Sequence, residues 1–320
     1  MRAFQTIVIN SCMELVRQPV YLMLLVGSSL FMIILASVPY FGLGDDPTLV
    51  KNSVLAMTFM TGLFGGIVGS SLSISKEVST GTALAVMAKP VKKWIFVLGK
   101  YVGLSGALFL LAYSNMIASL TASRMAYDAY SGVDWNAFLI FTLFIAVALI
   151  LAGVRNYVFR KPFLQEAAMY SVISMSCAFL IIWKMTDHKV SLSDYAQVDW
   201  RLFPSILLIY FAILVLAAIA VVCSTRLDFL PTLGICYGLF LLGLMSDYFF
   251  GQASSDGFLV SKILYTLIPN WQLYWMADAI QQGQSIPVTY IFRAFLQMLC
   301  SVGWLLILAV VLFEDRELTS

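Results

Sequence analysis

The residues with the clearest chemical potential lie in a short polar insert, residues 75–100, between two long apolar segments. Thr80 can accept hydrogen bonds from backbone N–H groups as a helix N-cap, and Pro90 disfavours helical backbone at the residue before it. These signals predict a short helix over residues 81–88, preceded by Glu77 and followed by three lysines. A short, rigid helix tethered to two membrane spans can transmit a push from a cytosolic partner. The alternative is an ordinary basic loop that only sets the topology.

Glycines at four-residue spacing form the second candidate site. Because lipid provides no hydrophobic driving force between helices, small residues that let two backbones approach closely promote helix association. The pattern occurs as two overlapping GxxxG spacings made of Gly62, Gly65, Gly66 and Gly69, and it recurs at Gly99 and Gly103. It favours either helix packing within the chain or a dimer interface.

A row of small polar side chains on the fifth apolar segment is the third candidate. It comprises Ser171, Ser174, Ser176 and Cys177. Hydroxyl groups at such positions can line a pathway, but they more often hold helices together or bond their own backbone.

Motifs that would make the chain an enzyme are missing from the sequence. It contains no GxxxxGK[ST] phosphate loop, no HExxH and no GxSxG. The five cysteines have no CxxC spacing and are interpreted as small apolar residues, and His188 is the single histidine, too few for a metal site. The net charge of +2 gives no argument for nucleic acid. The sequence therefore predicts a protein that is not an enzyme, with no cofactor, no metal and no nucleic-acid partner.

The composition predicts an all-α, polytopic helical bundle in a lipid bilayer. Of 320 residues, 61% are hydrophobic and 11% are charged, whereas about 25% of the residues in a soluble domain are charged. A span needs about 20 mainly apolar residues. Eight candidates satisfy this, with six as the alternative count: 20–41, 52–74, 98–119, 137–154, 166–183, 203–224, 231–250 and 290–313. Together they are predicted to form one transmembrane domain over residues 1–320.

Two segments outside these spans are predicted to lie at the membrane surface. Residues 1–19 carry apolar side chains at helical spacing, which predicts an amphipathic interfacial helix rather than a frayed polar tail. Residues 251–289 are half apolar and are predicted to be an extracytoplasmic loop with one or two interfacial helices, with a plain loop as the alternative.

The distribution of charge predicts the orientation. With the N-terminus inside, twelve of the 19 basic residues fall on the cytoplasmic side and ten of the 17 acidic residues fall on the other. This bias favours both termini in the cytosol and an even number of spans. It also places residues 75–97 in the cytosol, where they form the predicted coupling segment. The predicted location is the plasma membrane, in bacteria the inner membrane, with multiple passes.

The sequence resembles permeases of the ABC-2 exporter class over nearly its whole length. The matching pattern is Arg17-Gln18-Pro19, Lys76-Glu77-x-x-x-Gly81-Thr82, Lys89-Pro90-Val91-x-Lys93, Gly99-Lys100-Tyr101-x-Gly103, Ser224-Thr225-Arg226-Leu227, Pro269-Asn270, Asp278-Ala279 and Phe313-Glu-Asp-Arg316-Glu-Leu318. The resemblance implies that the segment after the second span docks into a separate ATP-binding subunit. The positions that carry this role by residue match are Glu77, Gly81, Thr82 and Pro90. Such permeases commonly have six spans, and this sequence predicts about eight.

The predicted function is therefore the permease subunit of an ATP-driven ABC-2 type transporter, an exporter of unspecified substrate. The resemblance implies a separate ABC ATPase subunit and a second permease copy or homologue as partners. An ion-coupled secondary transporter is one alternative, disfavoured because the span centres carry almost no ionisable groups. A non-transporting membrane scaffold for a cytosolic partner is the other.

Overall fold

The computed structural model describes residues 2–38, 46–75, 92–127, 134–185, 198–251 and 268–314. These residues are 88% helical and contain no strand, which confirms the predicted all-α fold. The α-helices are α1 (Arg2–Val16), α2 (Pro19–Ser37), α3 (Asp46–Ser70), α4 (Lys93–Tyr127), α5 (Trp135–Phe159), α6 (Phe163–Lys184), α7 (Leu202–Ser224), α8 (Phe229–Leu244), α9 (Ala277–Gln281) and α10 (Val288–Glu314).

Each predicted span corresponds to one of these helices. Within the described ranges, seven helices, α2 to α7 and α10, are long and apolar enough to cross a membrane, so the chain is a multi-pass membrane protein. The span predicted at residues 231–250 differs from the others. There α8 ends after 16 residues, Met245 forms a turn, and a π-helical turn follows over Asp247–Gly251.

Local signals account for the hairpin of α5 and α6. The Asp134 side chain accepts a hydrogen bond from the Ala137 backbone N–H at 3.0 Å and so caps the start of α5. Arg160 ends this helix in the left-handed region, at φ 52°. Pro162 then precedes α6, where its fixed φ suits the start of a helix. The two helices pack along each other as a result.

The core of the bundle surrounds α4 and α7. In α7, 78% of the most apolar stretch is buried inside the protein, against 28% in α5 and α10. A helix that is apolar on every side belongs in the middle of a bundle, whereas α5 and α10 turn most of their apolar surface outward. Both α3 and α10 pack on α7, while α1, α2 and α3 pack on α4.

Hydrogen bonds between side chains join three helices inside this core. The Ser28 hydroxyl of α2 donates to Asn115 Oδ1 of α4 at 2.6 Å. Asn115 Nδ2 in turn donates to the Thr61 hydroxyl of α3 at 2.7 Å. All three residues are buried, and a buried polar group is tolerated only when it is hydrogen-bonded. The network therefore fixes how α2, α3 and α4 meet.

The two ends of the bundle can be defined by the segment between α3 and α4. We call the end at which residues 76–91 join these helices the segment end, and the opposite one the far end. Lys93 Nζ contacts the Glu314 carbonyl at 2.9 Å, and α1 packs on the first turns of α4. The first helix and the end of the last helix therefore lie together at the segment end.

The N-terminal helix and the segment before α10 both pack into the bundle. The predicted helix over residues 1–19 exists as α1, and a Cβ atom on Gly99 of α4 would lie only 2.7 Å from Ile7 Cγ2. Its apolar face therefore rests on α4. Within residues 251–289, a 3₁₀ turn at Trp271–Tyr274 and α9 are helical, and Trp271 is fully buried.

Candidate functional site

The predicted coupling residues Glu77, Gly81, Thr82 and Pro90 lie in the segment 76–91, outside the described residues. The structure describes both points at which this segment is attached, Ser75 and Lys92. What any movement of the segment would do depends on how firmly α3 and α4 are held there.

On the α3 side, the attachment is fixed to the junction of α7 and α8. The last residues of α3 continue as a π-helical turn over Ser71–Ser75, a local geometry that is frequent at functional sites. The Ser70 hydroxyl accepts a hydrogen bond from that of Ser224 at 3.3 Å. The Ser75 hydroxyl donates to Asp228 Oδ1 at 3.2 Å, just before α8. The end of α3 is thus tied to two other helices by side-chain contacts.

On the α4 side, the attachment is fixed to α1 and α10. The ring of Phe96 stacks on that of Phe313 with centroids 5.5 Å apart. Lys100 Nζ contacts Glu14 Oε2 at 3.2 Å and lies 5.7 Å from the centroid of the Phe96 ring. The start of α4 is therefore held between the N-terminal and C-terminal helices.

The four glycines of the overlapping GxxxG spacings are all buried inside the chain. A Cβ atom on Gly62 would overlap the Ile213 side chain of α7, and one on Gly66 would lie 3.6 Å from Ala217 Cα of the same helix. Gly65 and Gly69 face α4 instead: a Cβ on Gly69 would lie 2.5 Å from Leu104 Cδ1.

Because a helix has 3.6 residues per turn, two overlapping four-residue spacings mark two neighbouring faces of it. In α3 one of these faces receives α7 and the other receives α4. The four glycines therefore pack against helices of the same chain. This packing also means that α3 is in close contact with two core helices at once.

The hydroxyl groups of α6 act mainly as contacts between helices. Ser174 donates to the Phe144 carbonyl of α5, and the Ser176 hydroxyl lies 3.0 Å from the Tyr113 hydroxyl of α4. Ser171 is buried without a hydrogen-bond partner among the described residues, whereas Cys177 is exposed. Two of these four positions thus hold α6 to its neighbours.

Two ion pairs at the far end were missed by the sequence analysis, which treated their members only as topological charges. Lys51 Nζ lies 2.6 Å from Asp199 Oδ2, joining α3 to the residues before α7. Arg124 Nη1 lies 3.1 Å from Asp134 Oδ2. Both pairs are buried. Lys51 and Asp199 are 148 positions apart, so no local spacing could reveal this pair.

Comparison with known proteins places this chain in no family: no family model and no curated protein matches it.

Proposed function

We propose that this chain is the membrane subunit of an ATP-driven transporter of the ABC-2 type, which exports its substrate using a separate ATP-binding subunit. A second copy of the chain, or a homologue, would complete the membrane part. The chain itself would hydrolyse nothing. The support is the motif resemblance in residues 76–103 together with the way that α3 and α4 are held on either side of residues 76–91.

The firm attachment of both flanking helices is the observation that carries the proposal. A coupling element is useful only if a push on it moves the spans rather than being absorbed locally. Ser75 is tied to Asp228, and Lys93 is tied to the last turn of α10. Through the close packing of α3 on α4 and α7, a displacement of the segment would reach the core. Such rigid-body shifts of packed helices are a common route for switching between states.

The proposed location is the plasma membrane, the inner membrane in bacteria, with the segment end in the cytosol. This orientation rests on the bias of basic residues toward that end. It would put residues 76–91 where an ATP-binding subunit could reach them.

The decisive variant is Glu77→Lys. If Glu77 pairs with a cation of the ATP-binding subunit, reversing its charge should strand that cation in a desolvated contact, a change that commonly costs several kcal/mol. We expect an affinity-tagged Glu77→Lys chain, purified from its native host in mild detergent, to lose both the co-purifying ATPase subunit and its ATPase activity. The elution of the chain itself in size-exclusion chromatography should not change.

The control is Lys189→Glu, which changes the charge by the same amount in a segment predicted to face the other side. It should keep the partner and the activity. Full retention of both by Glu77→Lys would refute the coupling role and favour the scaffold or the ion-coupled transporter instead.

A further inference from the structure

A cavity at the far half of the bundle has walls of two different chemical kinds. It lies between α3, α8 and the segment that contains the 3₁₀ turn and α9. Its volume is about 540 Å³, within the range of ~300–1,000 Å³ that is usual for small-molecule sites. The residues that line it are Ala56, Phe59, Met60, Phe240, Leu244, Gln272, Trp275 and Asp278.

The apolar wall is held rigidly by aromatic packing. Phe59 of α3 meets Phe240 of α8 edge to face, with centroids 5.2 Å apart. The buried ring of Trp271 lies 6.3 Å from Phe59 and 6.4 Å from Phe240. Gly243 makes this possible, because a Cβ atom there would overlap Trp271. The rings are therefore placed before any ligand arrives, which lowers the entropic cost of binding.

Hydrogen bonds fix the segment that carries the polar wall. Asn270 donates to Asp247 Oδ1 at 2.8 Å and accepts from the Gln272 backbone N–H at 2.9 Å. The Tyr290 hydroxyl donates to the Leu273 carbonyl at 2.6 Å. These contacts hold the segment against α10 and the π-helical turn that follows α8, so Gln272 and Asp278 have a defined position relative to the aromatic wall.

The polar groups offered to a ligand are an amide and a carboxylate. Gln272 Nε2 donates one N–H to the Leu244 carbonyl at 3.3 Å, and its amide oxygen can accept a hydrogen bond. Asp278 is exposed, and no Lys or Arg in the described part of the chain forms an ion pair with it. The cavity therefore presents a carboxylate and an amide oxygen beside aromatic faces.

A second cavity shows that polar groups beside aromatic rings are not common to every cavity of the bundle. That cavity, of about 280 Å³, lies between α4 and α7 and has an almost wholly apolar lining. The hydroxyl groups of its two tyrosines are engaged elsewhere, Tyr113 with Ser176 and Tyr210 with the Ser105 carbonyl. Lipid chains suit such a surface. The carboxylate in the first cavity would gain no favourable interaction with an apolar lipid chain.

We propose that the first cavity binds an organic cation with an apolar, preferably aromatic, body. The positive charge would lie between the Asp278 carboxylate and the faces of Trp275 and Phe59, since aromatic rings attract cations placed over them. The apolar body would fill the space beside Met60 and Leu244. If the chain is the proposed exporter, amphipathic organic cations are its substrate class; this step rests on the proposed function. The binding of a cation in the cavity does not depend on that function.

The test is equilibrium binding of radiolabelled tetraphenylphosphonium to the full purified chain in lipid nanodiscs. Tetraphenylborate, which has the same shape and the opposite charge, serves as the matched ligand. We expect saturable binding of the cation and none of the anion. Asp278→Asn should weaken binding of the cation about tenfold, as loss of one charged contact typically does. Trp275→Leu should weaken it as well.

Glu314→Gln is the matched variant, because it makes the same change from carboxylate to amide on an exposed residue at the segment end. It should bind the cation as the unmodified chain does. Absence of saturable binding, equal binding of the anion, or an unchanged affinity in Asp278→Asn or Trp275→Leu would each overturn the site. Glu77→Lys should leave this binding intact, so a failure of the coupling proposal and a failure of the cation site give different results.

Discussion

The two ends of the bundle hold their charges in different ways. At the far end, the side chains of Lys51 and Asp199 are each only 9% exposed, and those of Arg124 and Asp134 are 4% and 7% exposed. At the segment end, Glu14 is 35% exposed in its pair with Lys100, whose side chain is 6% exposed. Arg155 there is 41% exposed in its pair with Glu166, at 3.4 Å.

This difference in burial sets how easily each end can rearrange. A charge that has been taken out of water is tolerated only while its partner is in place, so the far end has one low-energy arrangement. Charges that still touch water lose about 0–1 kcal/mol when an ion pair opens. Rearranging the charges therefore costs less free energy at the segment end, where the proposed ATP-binding subunit would act.

Asp199→Asn should have the largest effect on stability. It removes the carboxylate that lies 2.6 Å from the buried Lys51 ammonium, and loss of one member of a buried pair costs about 3–5 kcal/mol. The free energy of unfolding can be measured on the purified chain by adding SDS to mixed micelles.

A second substitution distinguishes charge from shape in that result. The double variant Lys51→Met with Asp199→Asn removes both charges, and the amide oxygen can still accept the hydrogen bond that the Arg201 backbone N–H now gives to Asp199 Oδ1 at 3.1 Å. Most of the lost stability should return. A loss below 1 kcal/mol in Asp199→Asn would show that the far end is not locked by this pair.

The positions of the helices could be predicted from the sequence, whereas the helices that each one packs against could not. Hydropathy located every long helix, because 20 apolar residues in succession have few alternatives to crossing a bilayer. The break at Met245 after α8 has no comparable signal. The pairing of Lys51 with Asp199 depends on which helices become neighbours, a property of the whole bundle.

The candidate sites show the same limit. The spacing of Gly62, Gly65, Gly66 and Gly69 predicted close helix contacts, but which helices fill them is set by tertiary packing around α3. The coupling role predicted for Glu77, Gly81, Thr82 and Pro90 rests on the motif alone, since these residues lie outside the described ranges. The cavity beside Asp278 joins residues from three distant parts of the chain, so no local pattern could have indicated it.

Gly103→Ala should have an intermediate effect, because close packing also holds α1 at the segment end. A Cβ atom there would lie 2.6 Å from the Val8 carbonyl oxygen and 3.1 Å from the Cys12 backbone nitrogen. Backbone cannot rotate away as a side chain can, so α1 must shift, and overpacking of this kind costs about 1–3 kcal/mol. The same SDS titration would measure the loss.

Gly106→Ala is the matched control on the same helix. Its Cβ atom would have only an ordinary contact, 3.7 Å from Cys12 Sγ. Alanine also favours helix over glycine by up to about 1 kcal/mol, so this variant should be as stable as the unmodified chain or slightly more so. Equal losses in the two variants would mean that α1 does not rest on Gly103.

Glu14→Gln should have the smallest effect, and it completes the comparison because it repeats at the segment end the carboxylate-to-amide change of Asp199→Asn. The amide oxygen of the new side chain could still accept a hydrogen bond from Lys100, whose ammonium group also lies 5.7 Å from the Phe96 ring centroid. With a third of the Glu14 side chain in contact with water, the expected loss in the SDS titration is below about 1 kcal/mol, and added salt should reduce it further. A loss as large as that of Asp199→Asn would show that the segment end is locked as firmly as the far end. A push on residues 76–91 would then have to break a buried charge pair before any helix could move.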